Sequence, residues 1–298
     1  MIPVDIVLGI VAAYTTTFFI ALGHSVFEKS GLLNLAVDGV FFMSTGVAVS
    51  VACITGSPIV GSLAAALTAA CVGLLLAFLM TALPISHGAV GLSMMFVGYG
   101  LGIILGYPVR IAVGGLSAFA YATSPLVYAV FFALTLVAGV LLHYLLQGTK
   151  LGLMISACGE NPSVAMALGV DVLKTRLIAG GLGFALLGFG SSLFPLLWLR
   201  YWDIRSYTLG FGWLAFTVAL VAGRHPLVLI PVSLLFGGLY HSCVLLTATL
   251  KIPVDVAKAI PFIVALASMV IYSKTRLGKA LAPPLSLGKT FYREERAV

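Results

Sequence analysis

Apolar residues run along this chain in blocks of about twenty, broken by short polar stretches. A helix rises about 1.5 Å per residue, so roughly 20 apolar residues carry it across the hydrocarbon core of a bilayer. Blocks of that kind fall at 5–23, 33–54, 59–82, 89–106, 125–146, 177–199, 209–222, 227–250 and 254–272. The pattern predicts an all-α polytopic membrane protein with about nine transmembrane or re-entrant helices. The 209–222 block is the shortest, and the glycines of 89–106 leave open whether it spans or re-enters. As one transmembrane domain, 1–298 divides into a first helical half (1–147), a polar loop (148–176), a second half (177–273) and a basic tail (274–298).

Composition sharpens this picture. Hydrophobic residues make up 61% of the chain and charged residues 8%, against roughly 25% charged in soluble domains. The net charge of +7 is scattered between apolar blocks and crowds the C-terminus, a pattern of membrane orientation rather than of a nucleic-acid face. Cys53, Cys71 and Cys243 lie in apolar blocks and Cys158 in the polar loop, which reads as small buried hydrophobes and not as a disulfide framework. The first block has an acid near its start and no small-residue cleavage pattern, so it reads as a retained span.

Lysines and arginines set the orientation. With the C-terminus in the cytoplasm, Lys29, Lys150, Lys174, Arg176, Arg224, Lys274, Arg276, Lys279, Lys289, Arg293 and Arg296 fall inside. Arg110, Arg200, Arg205, Lys251 and Lys258 fall outside or near that face, a split of 11 to 5 in the sense of the positive-inside rule. The expected location is a cell membrane, with the chain crossing it several times.

The segment "CGENPSVAMALGVDVLKTR" lies in the one long internal loop of the cytoplasmic side. Asn161 is placed to cap a helix whose first residue is Pro162, where a missing N–H costs nothing. The helix is expected over 162–168, with Gly169 where a left-handed residue ends it. Both an amphipathic connector and a docking helix for a cytoplasmic partner fit this segment.

The rest of the chain offers little chemistry. No G-x-x-x-x-G-K-[ST] occurs; the tail's "PPLSLGKT" has Pro283 where the first glycine belongs and no preceding strand. His24, His87, His143, His225 and His241 are isolated and read as structural, so no metal and no catalytic residues are expected. Asp38 falls a few residues inside the second block, where charge is expensive and faces a bundle interior or water. It either sits near the interface and caps or pairs locally, for instance with Lys29, or lines a substrate path. Gly98, Gly102 and Gly106 recur at four-residue spacing, which lets helix backbones approach closely.

Three stretches carry a resemblance. "ALGHSVFEKSGLLNLAVDGVFFMSTG" resembles the opening of the inner-membrane permeases of ABC importers for nucleosides and simple sugars. "GENPSVAMALGVDVLKTRL" is similar to their cytoplasmic coupling loop, and "GFGWLAFTVALVAGRHPLVLIPVSLLFGGL" to their late pair of spans. The order matches and the three cover much of the chain; the shorter permease of nucleoside-type importers is the nearer pattern. The resemblance implies a permease subunit without enzyme activity of its own. Its partners would be a second permease, a cytoplasmic ABC ATPase carrying the ATP and magnesium, and an extracellular or periplasmic solute-binding protein, with lipid around it and no nucleic acid. It assigns coupling to Gly159, Glu160, Asn161, Pro162, Ala165 and Gly169, and matches Asn34, Asp38 and Gly39 to the second-span motif. The chain departs from the family pattern at Ser156, where an arginine is usual, and at Ala36 and Asp38, which replace glycine and glutamate. Asn34, Asp38, Phe41, Phe42 and Tyr99 are the candidates for a substrate path. Branched-chain amino acids are a rival solute class, an ion-coupled secondary carrier a rival mechanism, and a non-transport membrane scaffold a third reading.

Overall fold

The computed structural model describes residues 4–112, 119–202, 210–250, 253–273, 275 and 281–292. Lys274, Arg276, Lys279, Arg293 and Arg296 of the basic tail, together with Arg205 and Lys251, lie outside the described residues, as does the side chain of Arg110. The regular elements of the described part are helices: α1 (Val4–Lys29), α2 (Val37–Thr55), α3 (Pro58–Ala82), α4 (His87–Ala112), α5 (Pro125–Gly148), α6 (Lys150–Glu160), α7 (Pro162–Ala167), α8 (Val172–Leu193), α9 (Phe211–Val221), α10 (Pro226–Leu250) and α11 (Val254–Ser273). Prolines open α3, α5, α7 and α10, because the first turn has no intrahelical use for their missing N–H.

Seven stretches among the described residues are long and apolar enough to cross a membrane: α1, α2, α3, His87–Tyr107 of α4, α5, Val172–Trp198 and Pro226–Cys243 of α10. The 11 residues of α9 reach about 16 Å, roughly half of a bilayer core. The 209–222 block therefore holds a half-length helix. The glycine-rich 89–106 block is neither broken nor bent back; it is a continuous part of α4. The expected span at 177–199 starts five residues earlier, at Val172, because Asp171 accepts a hydrogen bond from the Lys174 N–H at 3.0 Å and so caps α8. It also ends differently. Pro195 cannot donate, and Phe194–Trp198 forms a π turn closed by Leu199 N–H to the Phe194 carbonyl at 2.9 Å.

Within 148–176 the helix expected over 162–168 is present as α7, and a second helix, α6, precedes it. Thr149 caps α6 by accepting from Gly152 N–H at 3.2 Å, and Asn161 alone separates α6 from α7.

α1, α2 and α8 are the most buried of the membrane-length helices; α3, α4 and α5 present most of their side chains outward. The centre is drawn tight by glycine. A Cβ on Gly73 of α3 would fall 2.3 Å from the Gly180 carbonyl of α8, and one on Gly23 of α1 would fall 2.2 Å from that of Gly183. On the other side, Gly98 of α4 lies on Gly39 of α2, with 2.4 Å left for a Cβ. The four-residue glycine spacing in α4 thus serves the α2–α4 crossing, with Gly102 against Phe42 and Gly106 against Trp202.

Candidate functional site

α7 is built by its caps. Asn161 ends α6, donating its N–H to the Ala157 carbonyl, and starts α7 by accepting from Val164 N–H at 3.1 Å. Pro162 takes the first helical position, and Gly169 closes the turn at φ +87°, where L side chains are strained. Ala165 is buried at 2% exposure and packs with Cys158, Val172 and Phe291. Gly159 is seated on the end of α1, where a Cβ would meet the Lys29 carbonyl at 2.1 Å. Val164 (52%) and Leu168 (79%) point the other way, into open space. Gly159 and Ala165 therefore seat the helix, Asn161, Pro162 and Gly169 shape it, and Glu160 stays exposed. A cleft of about 550 Å³ runs beside α7, lined by Met166, Val170, Asp171 and Leu173 with Phe291 and Tyr292.

Phe291 and Tyr292 belong to the C-terminal segment, which straps this end of the bundle. Ser286 donates its N–H to the Gly159 carbonyl at 3.0 Å and its hydroxyl to the same oxygen at 2.6 Å. Gly288 N–H reaches the Gly31 carbonyl at 3.1 Å, and Leu285 N–H reaches Glu160 Oε2 at 3.4 Å. Leu281 lies on Gly223, leaving 2.4 Å for a Cβ there. The fully buried Arg176 donates from Nε to the Ser30 carbonyl at 3.0 Å and lies 5.7 Å from the Phe291 ring centre. Burial pushes the Cys158 thiol beneath the strap above its ordinary range.

Two polar clusters lie inside the bundle. In the first, both oxygens of the buried Asp38 are engaged: Oδ2 accepts from Tyr99 Oη at 2.6 Å and Gly210 N–H at 2.9 Å, and Oδ1 accepts from Gly212 N–H at 2.7 Å. The two amides stand at the start of α9, whose N-cap Gly210 has no side chain to serve as a cap. Asp38 supplies the cap from α2, placing negative charge at the positive end of the helix dipole. Asp38 is not paired with Lys29. Phe42 stacks at 23° on Trp202 and meets Tyr99 edge-on, each at 6.3 Å, while Phe41 sits against Phe194 and Phe211. Of the five path candidates, Asp38, Phe42 and Tyr99 thus come together, and Phe41 adjoins them through Phe211.

Asn34 belongs to the second cluster, which centres on a residue that the sequence pattern did not single out. Glu28, at 0% exposure, accepts from Arg224 Nε at 2.6 Å, lies 3.2 Å from His24 Nε2 and accepts from Asn34 N–H at 3.3 Å. Asn34 Nδ2 is 3.2 Å from His24 Nδ1, and its Oδ1 caps the Ala36 N–H at 3.1 Å. Arg224 stands at φ +59°, a left-handed conformation that costs a non-glycine residue about 1–2 kcal/mol. His24 and Glu28, four apart on α1, were the available signal; their place at the end of a block made them look like boundary residues. Among the described residues no three His, Cys, Asp or Glu side chains stand as a metal-holding group.

A helical bundle with seven membrane-length stretches, its polar groups turned inward and its apolar faces outward, is a polytopic membrane protein. The chain belongs to the family of the permease component of branched-chain amino acid transport systems, which it matches over residues 6–281. It is 28% identical over 244 residues to the putative glucose ABC transporter permease protein TsgC13 of Haloferax volcanii, covering 76% of this chain and 73% of that one. It is 27% identical over 158 residues to the nucleoside ABC transporter permease protein NupC of Lactococcus lactis, covering 50% of this chain and 47% of the relative. A short match, 45% over 56 residues, relates it to the probable branched-chain amino acid transport permease protein LivH of Methanocaldococcus jannaschii, covering 19% of this chain and 18% of the relative. No solved structure matches the chain. The chain is thus a multi-pass membrane permease of this family, as the resemblance implied.

Proposed function

We propose that this permease is one of two permease subunits of an ABC importer and forms, with the second, the path for a nucleoside or a simple sugar. A cytoplasmic ATPase holding ATP and magnesium docks on α7, and a solute-binding protein outside delivers the solute. The observation that carries this reading is α7 itself: a helix capped at both ends and seated by Ala165, with Val164 and Leu168 turned out of the bundle. Apolar side chains held in the open by a rigid turn suit a protein partner. The solute class rests on the glucose and nucleoside relatives, which cover far more of the chain than the branched-chain amino acid relative does.

Closure of the ATPase pair would push on α7, and the strap and the Gly159 seat would pass that movement to the end of α1. The membrane helices then shift between two packed states; no chemistry is done on the solute. On this reading the C-terminus and the α6–α7 end face the cytoplasm. Phe42, Tyr99 and Trp202 offer aromatic faces near the path.

The test is purification of the tagged chain from its native membrane in mild detergent, then reconstitution with whatever accompanies it. A second permease and an ATPase in comparable amounts, with ATP-dependent uptake of uridine or glucose, is the expected result. A chain that purifies alone and transports on an ion gradient without ATP would overturn the reading. Uptake of leucine with neither uridine nor glucose would reassign the solute.

A further inference from the structure

α9 is held at both ends by acids that belong to other helices. At its start the Asp38 carboxylate of α2 takes the amides of Gly210 and Gly212. Beyond its end, Arg224 is locked by its Nε onto Glu28 of α1 at 2.6 Å, with Arg224 N–H also bonded to the Ala219 carbonyl. The helix is too short to anchor itself by crossing a membrane. The turn that joins α9 to α10 is tight. Gly223 and Arg224 both stand in the left-handed region, at φ +58° and +59°, and α10 starts two residues later at Pro226. An arginine in that conformation is retained where glycine would be relaxed, and its side chain is the one that reaches Glu28.

We propose that Glu28 and Asp38 are positioning residues that fasten α9 to α1 and α2, so that α9 moves with that pair and swings against α10 about Gly223 and Arg224 during transport. The inference rests on the importer reading and deepens it: α9 carries the movement between the strapped end of the bundle, where Glu28 lies, and the aromatic group around Asp38 and Tyr99.

Phe211 allows a matched test, because its ring lies 5.4 Å from that of Phe41 on α2 and 5.3 Å from that of Tyr240 on α10. In a background with the four native cysteines replaced, Phe41→Cys with Phe211→Cys ties α9 to α2, and Phe211→Cys with Tyr240→Cys ties it to α10. Each pair is bridged by a short reducible bis-thiosulfonate in vesicles holding the whole complex, with labelled uridine and glucose as probes. Measured against the same cysteine pair before bridging, the α2 bridge should change ATP-dependent uptake by no more than about twofold; the α10 bridge should lower it at least tenfold against its own unbridged pair, with recovery on reduction. An α10 bridge that is tolerated, or two bridges that block equally, would overturn the proposal.

Where a cysteine pair is inactive before bridging, the ion pair decides. Glu28→Gln should assemble and hydrolyse ATP while uptake falls at least tenfold, and Glu28→Arg with Arg224→Glu should restore most of it. Full uptake by Glu28→Gln, or no recovery in an assembled double variant, counts against the fastening. Should wild-type vesicles show no ATP-dependent uptake, the importer reading fails, and hydrogen exchange on the isolated chain judges the fastening by itself. Asp38→Asn must then deprotect the amides of Phe211–Val221, and unchanged protection would overturn it.

Discussion

At the scale of single residues, the chain places its few buried charges where backbone groups need them. Asp38 loses water on entering the bundle and recovers it as three hydrogen bonds, two of them to amides that no residue of α9 could satisfy. Glu28 is served by a guanidinium, an imidazole and an amide. Breaking one bond of such a set leaves a charged oxygen short of a partner, which costs about 1.5–3 kcal/mol. Tyr99→Phe removes the 2.6 Å bond and keeps the ring, so it should lower the melting temperature in detergent while the chain still inserts and assembles. Asp38→Ala, which strips α9 of its cap as well, should lower it further. Size-exclusion thermal scans on the two variants give the order; Tyr99→Phe melting with the wild type would mean the tyrosine bond contributes nothing.

At the scale of elements, the membrane-length helices were legible because burial in lipid needs long apolar runs, and that demand is written directly into composition. α7 was legible for a different reason: its caps are local, and Asn161, Pro162 and Gly169 state them within nine residues. α6 was missed because its cap, Thr149, directly follows a helix and left no visible gap. The capping of α9 was out of reach, since it depends on residues far apart in the chain: Gly212 lies 174 positions from the carboxylate that caps it. Glu28 was hidden for the same reason, because its partner Arg224 is 196 residues away. The local logic of α7 yields a paired prediction. Leu168→Asp changes an exposed side chain and should leave the melting temperature unchanged while the ATPase no longer co-purifies. Asn161→Ala removes a cap worth about 1 kcal/mol and should loosen α7, giving an assembled complex with weakened coupling. Retention of the ATPase by Leu168→Asp would show that α7 is a connector.

At the scale of the whole molecule, the three stretches that resemble permeases converge on one end of the bundle, and the C-terminal segment joins them. Leu281 covers Gly223, Ser286 ties to Gly159, Gly288 ties to Gly31, and Phe291 shields Arg176. On the proposed reading, a push on α7 would reach α1 and the turn before α10 through this strap as well as through the membrane helices. Cys158 reports on it without a new label. It is fully buried among Ala165, Val172 and Phe291, and burial raises its thiol, so little thiolate is present at pH 8. With Cys53, Cys71 and Cys243 replaced, maleimide should label the full chain slowly at pH 8 and a chain ending at Ala280 at least tenfold faster, because water then reaches Cys158 and its thiol returns toward the ordinary range. The shortened chain should still insert and bind the ATPase through α7, yet transport less solute per ATP hydrolysed. If Cys158 becomes reactive while that ratio stays at the wild-type value, the strap is a cover over the α6–α7 seat and force passes through Gly159 and Lys29 alone.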